Sequence, residues 1–243
     1  MNSPLLEAFE ERLHEIDVYL DLLDAIQHQA QAGPPRIGNA TISTQQQRIL
    51  YSSVYLQLYN LVEATATWCV DAVSDATTDG DQWKPKDLVD KLRREWVRTK
   101  ARTHVDLNPG NRLSEIVTFC DLLLEAVPIT EWSVERGGGG NWDDSLIEGI
   151  SARLGCNLTI DPTVSIAAKR HIRDDKNSLG LVKYLRNRLA HGQMSFAECG
   201  AGVTVVDLRD VRDRTANYLR EVVSAFSDYI DNYFFLSPDS RPL

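Results

Sequence analysis

Apolar residues recur every three or four positions through Leu5, Leu6, Phe9, Leu13, Ile16, Leu20, Leu23 and Ile26. That is the spacing of a helix with one buried face, and it predicts a long helix over 4–31 stopped by Gly33-Pro34-Pro35. A polar loop is expected to follow as far as Ser43. Ser43 with Gln46 three residues on has the form of a capping box, opening a helix to about Val73. Tyr51, Val54, Tyr55, Leu58, Leu61, Val62 and Trp68 make that helix apolar around much of its circumference, which predicts a central place in a bundle. Asn60 and Glu63 interrupt this surface. Burying either without a partner is costly, so each is expected to meet a structural hydrogen-bond partner or to support a site.

Further along, residues 75–84 read as a turn-rich loop, and Pro85 stands at the favoured first position of a basic helix over 85–99. After a break at Asn108-Pro109-Gly110, Leu113, Ile116, Val117, Phe119, Cys120, Leu123 and Leu124 predict an amphipathic helix over 111–126. Shorter helices are expected over 143–154, ending at Gly155, and over 164–173, with another over 174–191. Val203-Thr204-Val205-Val206 reads as one short strand. A last long helix is expected over 207–235, with Val211, Tyr218, Leu219, Val222, Val223, Phe226, Ile230, Tyr233 and Phe234 inward. Helices dominate, and neither an internal repeat nor an interdomain linker is evident. The pattern predicts an all-α bundle with little or no β, one domain over 1–243, and 75–173 as an insertion-like helical middle.

Composition adds few constraints. At 243 residues, 43% apolar and 25% charged, the chain can bury a substantial core. Cys69, Cys120, Cys156 and Cys199 lie far apart, which suggests neither a zinc site nor a disulfide framework. Gly137 to Gly140 followed by Asn141 lack the GxxxxGK[ST] pattern of a phosphate loop, so a linker or tight turn is expected there. The start of the chain does not read as a signal peptide, and no apolar run approaches the ~20 residues a membrane helix needs. A cytoplasmic location is expected. His14, His28, His104 and His171 have no metal spacing. Asp143 and Asp144, like Asp174 and Asp175, suit helix starts better than metal binding. No metal or cofactor is implied.

The net charge of −9 argues against nonspecific coating of nucleic acid, but the basic residues are concentrated. Residues 84–102 hold eight basic and three acidic residues, and 169–191 hold seven basic and two acidic. Each stretch can bind a polyanion locally or form a solvated helix face. The second contains Lys183-Tyr184-Leu185-Arg186-Asn187-Arg188-Leu189-Ala190-His191-Gly192. Here an arginine, an asparagine and a histidine ride on an apolar frame of Val182, Leu185 and Leu189, and a glycine closes the helix. At ~100° per residue, Asn187 and His191 fall within ~40° of one face, whereas Arg186 lies ~140° from His191. Arg186 must therefore reach round the helix, or the helix must loosen near Gly192. Alternatively, two copies of the strip meet across a two-fold axis. The carboxyl end of the helix favours an imidazolium at His191 while Arg186 and Arg188 oppose it, which suits a group that exchanges a proton near neutrality. An Arg-x4-His pair alone is weak, and Arg98 with His104 forms a decoy. The decoy lacks the following asparagine, the apolar frame and the glycine stop.

Arg186-Asn187-Arg188-Leu189-Ala190-His191 resembles the Arg-x4–6-His signature of the HEPN superfamily. The likeness extends toward a bacterial branch of stand-alone HEPN nucleases through Leu58 to Thr65, the Gly140-Asn141 turn and Ser195-Phe196-Ala197-Glu198-Cys199-Gly200. It implies a helical bundle that homodimerises and cuts RNA without a metal at a cleft built by both copies. By that resemblance His191 is the acid/base for attack of the ribose 2′-OH, Arg186 stabilises the phosphorane, and Asn187 positions it or the histidine. Arg188, Lys183, Arg170 and Arg173 are candidates for RNA binding, and Asn60 and Glu63 for support. Many relatives are toxins or phage-defence effectors restrained by an antitoxin or other partner protein. Some carry a modifiable tyrosine two residues after the histidine, where this chain has Gln193. A non-catalytic nucleotide- or RNA-binding or adaptor module is the alternative.

Overall fold

A computed structural model describes residues 3–102, 108–136 and 141–242. Among them are nine α-helices and one two-stranded hairpin. His104 and Gly137 to Gly140 lie outside the described residues. The helices are α1 (Pro4–Ala32), α2 (Thr44–Thr78), α3 (Asp90–Arg102), α4 (Pro109–Leu124), α5 (Asp144–Leu154), α6 (Pro162–Lys169), α7 (Ser178–Ala190), α8 (Phe196–Cys199) and α9 (Val205–Asp231). The fold is all-α, as the apolar periodicity implies. The segment expected to be a plain loop contains a small antiparallel hairpin, β1 (Arg36–Ile37) and β2 (Ala40–Thr41), with Arg36 opposite Thr41. Gly38, in the left-handed region at φ 57°, and Asn39 form its two-residue turn.

The chain forms two compact units. One comprises Met1–Thr65, Gly140–Asp144 and Ile160–Val222; the other comprises Ala66–Gly139, Ser145–Thr159 and Val223–Leu243. In the first unit, Ser3 caps α1 by accepting a hydrogen bond from the Leu5 N–H, and Pro4 opens the helix. Phe9, Leu13, Ile16, Leu20, Leu23 and Ile26 are all buried, as their spacing predicts. Arg209 bridges Asp21 and Asp24, Arg212 meets Asp17, and Arg220 meets Glu10. Their order shows that α1 and α9 run antiparallel. Ser43 and Gln46 cap α2 reciprocally at 3.2 and 2.7 Å.

In the second unit, the Trp132 indole donates to Thr77, Val134 N–H donates to Ser74 Oγ at 3.2 Å, and Tyr229 donates to the Leu154 carbonyl at 2.7 Å. The buried Glu95 carboxylate accepts from Arg98 and Arg153, each at 2.6 Å. α4 has the predicted helical pattern, yet Leu113, Ile116, Val117, Leu123 and Leu124 are exposed; Phe119 stacks on Trp96 at 5.5 Å.

The strand expected at Val203–Val206 is absent, and Val205 already begins α9. Thr204 and Asp207 explain this. The Asp207 carboxylate accepts from the Thr204 N–H at 2.9 Å, and the Thr204 hydroxyl accepts from the Asp207 N–H at 3.2 Å. This reciprocal cap outweighs the β-branched run. At the far end α9 stops at Asp231. The helical spacing then no longer applies, so Tyr233 and Phe234 are exposed while Phe235 and Leu236 are buried.

Candidate functional site

The motif helix α7 starts at Ser178, four residues later than its pattern suggests. Asp174 and Asp175 adopt left-handed backbone at φ 54° and 53°, making a tight turn in which Ile172 and Lys176 pair at 2.8 Å. Aspartate tolerates that region better than most residues. Asn177 then caps the helix, its side-chain oxygen accepting from the Gly180 N–H at 2.8 Å. Leu181, Val182, Leu185 and Leu189 are buried, so the predicted apolar frame is real. At the other end, the Gly192 N–H donates to the Leu189 carbonyl at 3.2 Å and the Gln193 N–H to the Arg188 carbonyl at 2.8 Å. With Gly192 at φ 65°, this is a Schellman termination. His191 is the cap residue of that turn. Its imidazole is exposed and makes no side-chain hydrogen bond among the described residues.

Arg186 and Asn187 are brought together although their α-carbons point apart. The Arg186 guanidinium folds over the Tyr59 ring at 4.1 Å, and its Nη1 donates to Asn187 Oδ1 at 2.8 Å. Its Nη2 lies 3.6 Å from a Glu63 carboxylate oxygen. Asn187 Nδ2 in turn donates to Asn141 Oδ1 at 2.9 Å. Tyr59 and Glu63 are one turn apart on α2 and share a face. Asn60 lies ~100° round from Tyr59; it is exposed and makes no side-chain hydrogen bond among the described residues. Tyr59 itself is 1% exposed, and its hydroxyl accepts from the Trp142 N–H at 3.2 Å. Burial pushes the Tyr59 phenol above its ordinary pKa, against the opposing pull of the Trp142 N–H and the Arg186 guanidinium. The ring therefore presents a neutral face to the arginine.

The other basic residues are placed differently. Arg188 donates to the Tyr184 hydroxyl at 2.9 Å and to the Gln193 carbonyl at 3.2 Å, tying the helix to its own terminating turn. Its guanidinium and the Lys176 ammonium lie 5.5 and 4.7 Å from the Tyr184 ring. Lys183 pairs with Asp143, and Asn177 Nδ2 donates to Asp144 at 2.9 Å. The two adjacent aspartates, expected as helix-start carboxylates, thus fasten the 141–144 segment to α7. Arg173 lies 5.9 Å from the Tyr55 ring, with its Nε 3.6 Å from an Asp174 carboxylate oxygen. Burial pushes Tyr55 to about 12, with Arg173 pulling against it. Arg170 is exposed, without a side-chain partner among the described residues.

Ser195 and Glu198 form a capping box that opens α8, and Gly200 follows it. A Cβ at Gly200 would lie 2.0 Å from the Arg48 carbonyl oxygen, so only glycine allows this approach. The Ser-Phe-x-x-x-Gly stretch therefore has a structural basis. Tyr59, Asn141, Trp142 and Tyr184 also belong to this arrangement, though the sequence pattern does not single them out individually as site residues. The four-residue spacing of Tyr59 and Glu63 was the available signal for the first; no local pattern points to the others.

A helical frame carrying Arg-Asn-x-x-x-His at the end of one helix defines a HEPN-type protein. Residues 1–235 match the model of the HEPN_MAE_28990-like HEPN family, and the chain belongs to that family. No curated protein and no solved structure matches it. HEPN domains are often ribonucleases, and they commonly dimerise and bind RNA. Among the described residues no helix is long and apolar enough to cross a membrane.

Proposed function

We propose that this chain is a metal-independent endoribonuclease acting as a homodimer, and that residues 1–243 form one HEPN-like domain with 75–173 inserted into it. One observation carries the reading. Arg186 is held by a ring and an amide, while further on, at the end of the same helix, His191 stands exposed and, among the described residues, free of side-chain hydrogen bonds. A fixed guanidinium suits charge that develops on a phosphoryl group, because no reorganisation is needed as the charge appears. A free imidazole suits proton transfer. His191 takes the proton of the ribose 2′-OH as that oxygen attacks phosphorus. Arg186 stabilises the phosphorane, and the departing 5′-oxygen receives a proton from the second copy's His191. The products are a 2′,3′-cyclic phosphate and a 5′-OH end. Arg170 and Arg188 extend the basic surface toward flanking phosphates, with Lys183 and Arg173 in supporting places. Asn187 and Glu63 hold Arg186; Asn60 is retained as a candidate support on the exposed side of α2.

The cellular role that fits is a cytoplasmic toxin or phage-defence effector, restrained by an antitoxin or another protein of its system. The test is purified protein with end-labelled RNA in EDTA. Cleavage that disappears in His191→Ala and separately in Arg186→Ala supports the proposal, as do cyclic-phosphate ends. RNA binding without cleavage points instead to a binding or adaptor module, and cleavage that survives both substitutions overturns the assignment of the site. Growth arrest on expression, relieved by His191→Ala, tests the toxin role.

A further inference from the structure

The amide of Asn187 is occupied at both ends, and the chemistry of its partners fixes its orientation. A guanidinium can only donate hydrogen bonds, so the Asn187 oxygen must face Arg186, at 2.8 Å from Nη1. The Asn187 NH2 must then face Asn141, which has to offer an acceptor; it does so through Oδ1 at 2.9 Å. Asn141 begins a run of four residues, three of them fastened to α7 or its cap and one to α2. Trp142 N–H donates to Tyr59, whose ring carries Arg186. Asp143 pairs with Lys183, and Asp144 accepts from Asn177, the cap of α7. The contacts to α7 at 187, 183 and 177 descend as the run goes from 141 to 144, so the segment lies antiparallel to the helix.

We infer that residues 141–144 are a positioning strap, in which the Asn141 carbonyl sets the Asn187 amide and the amide sets the Arg186 guanidinium. Its consequence for catalysis rests on the nuclease reading above; its consequence for the guanidinium does not. Asn141 and Asn187 are on this account positioning residues, acting on phosphate only through Arg186. Asn141→Asp keeps an acceptor toward the Asn187 NH2. Asn141→Leu has a similar size and no acceptor.

The experiment joins RNA-cleavage kinetics with NMR of the Arg186 guanidinium, assigned by its loss in Arg186→Lys. In the native chain, slowed guanidinium rotation gives separate Nη signals. These average in Asn141→Leu and stay separate in Asn141→Asp. In cleavage, Asn141→Leu lowers kcat about tenfold, the scale of one lost orienting hydrogen bond, with KM within about twofold and the pH profile unchanged in shape. Asn141→Asp stays within about threefold of the native kcat. The strap is overturned if the Nη signals are unaffected in Asn141→Leu, or if Asn141→Asp is as damaging as Asn141→Leu. Where the leucine variant does not fold, Asn141→Ala replaces it with the same expectations. A native chain that cuts no RNA but shows Asn141-dependent restraint ends the nuclease reading and leaves the strap standing.

Discussion

On α3, Arg93 and Arg94 share the Asp90 carboxylate at 3.1 and 2.8 Å, and Arg98 holds the buried Glu95 at 2.6 Å. On α7, Arg186 and Arg188 rest against tyrosine rings and donate to an amide, a phenol and a backbone carbonyl. The two stretches are alike in basic content, but their partners differ. A carboxylate partner cancels the cation's field at a distance. A ring face or a neutral acceptor holds the cation in place and leaves its charge available. Glu63, at 3.6 Å, offsets part of the charge of Arg186. Charge counts along the chain cannot separate these cases; the identity of the partner does.

The largest expected effect tests that contrast directly. Arg186→Ala and His191→Ala should each lower kcat/KM for RNA cleavage by about 10³-fold, the scale for losing a preorganised charge or a proton-transfer group. Arg98→Ala, which removes a cation already paired with Glu95, should stay within about twofold. Initial rates on a labelled oligonucleotide measure all three. A loss in Arg98→Ala comparable with that in Arg186→Ala would break the comparison.

Stability should reverse the ranking. Glu95 is 3% exposed and receives two arginines, so Glu95→Ala takes the carboxylate from the partly buried Arg153 and from the exposed Arg98. Because both cations reach solvent, the cost is about 2 kcal/mol, below that of a fully buried pair, which in a chain of this size lowers Tm by roughly 6 °C. Glu63→Ala removes a looser contact from a more exposed carboxylate, and should cost under about 1 kcal/mol. Calorimetry on the two variants decides. Equal Tm losses would mean that the two carboxylates do the same job.

Much of this arrangement is legible in the chain itself, because it rests on local rules. The apolar frame of α7, its glycine stop and the capping box of α2 all follow from spacing and backbone preference. The early turn at Asp174 and Asp175 and the cap at Thr204 and Asp207 also have local signals, but helical and β-branched patterns mask them. The geometry of Arg186 is another matter. Helical arithmetic correctly places its α-carbon away from His191. A long side chain, however, is steered by what lies beside it, and Tyr59 is 127 positions away in the sequence. Asn141 is 46 positions from Asn187, and a polar residue after a glycine run carries no local mark of its partner. Long-range side-chain contacts are therefore where reading the sequence stopped.

A smaller effect is expected at the end of α7. Gly192 lies at φ 65° with open space around its α-carbon, so Gly192→Ala meets backbone strain and no clash. The cost is about 1 kcal/mol of stability. Because His191 is the cap residue of that turn, kcat should also fall by a few fold while KM holds. A Tm loss without any change in kcat would show that the turn does not position His191.

The smallest effect concerns binding, measured with His191→Ala protein so that RNA stays intact. Each cation that replaces a counterion on single-stranded RNA contributes about 0.7 to the slope of log K against log salt. Arg170 is exposed without a side-chain partner among the described residues, so Arg170→Ala should reduce the slope by about that amount and weaken binding about threefold at moderate salt. Arg94 is exposed too, at 76%, but shares Asp90 with Arg93. A phosphate approaching it also meets a carboxylate, so Arg94→Ala should change the slope by less than half as much. Exposure class alone does not separate these two arginines. A larger slope change at Arg94 than at Arg170 would mean that exposed ion pairs open readily enough for α3 to serve RNA as well as α7 does, and the distinction between carboxylate and neutral partners would then hold only for buried cations.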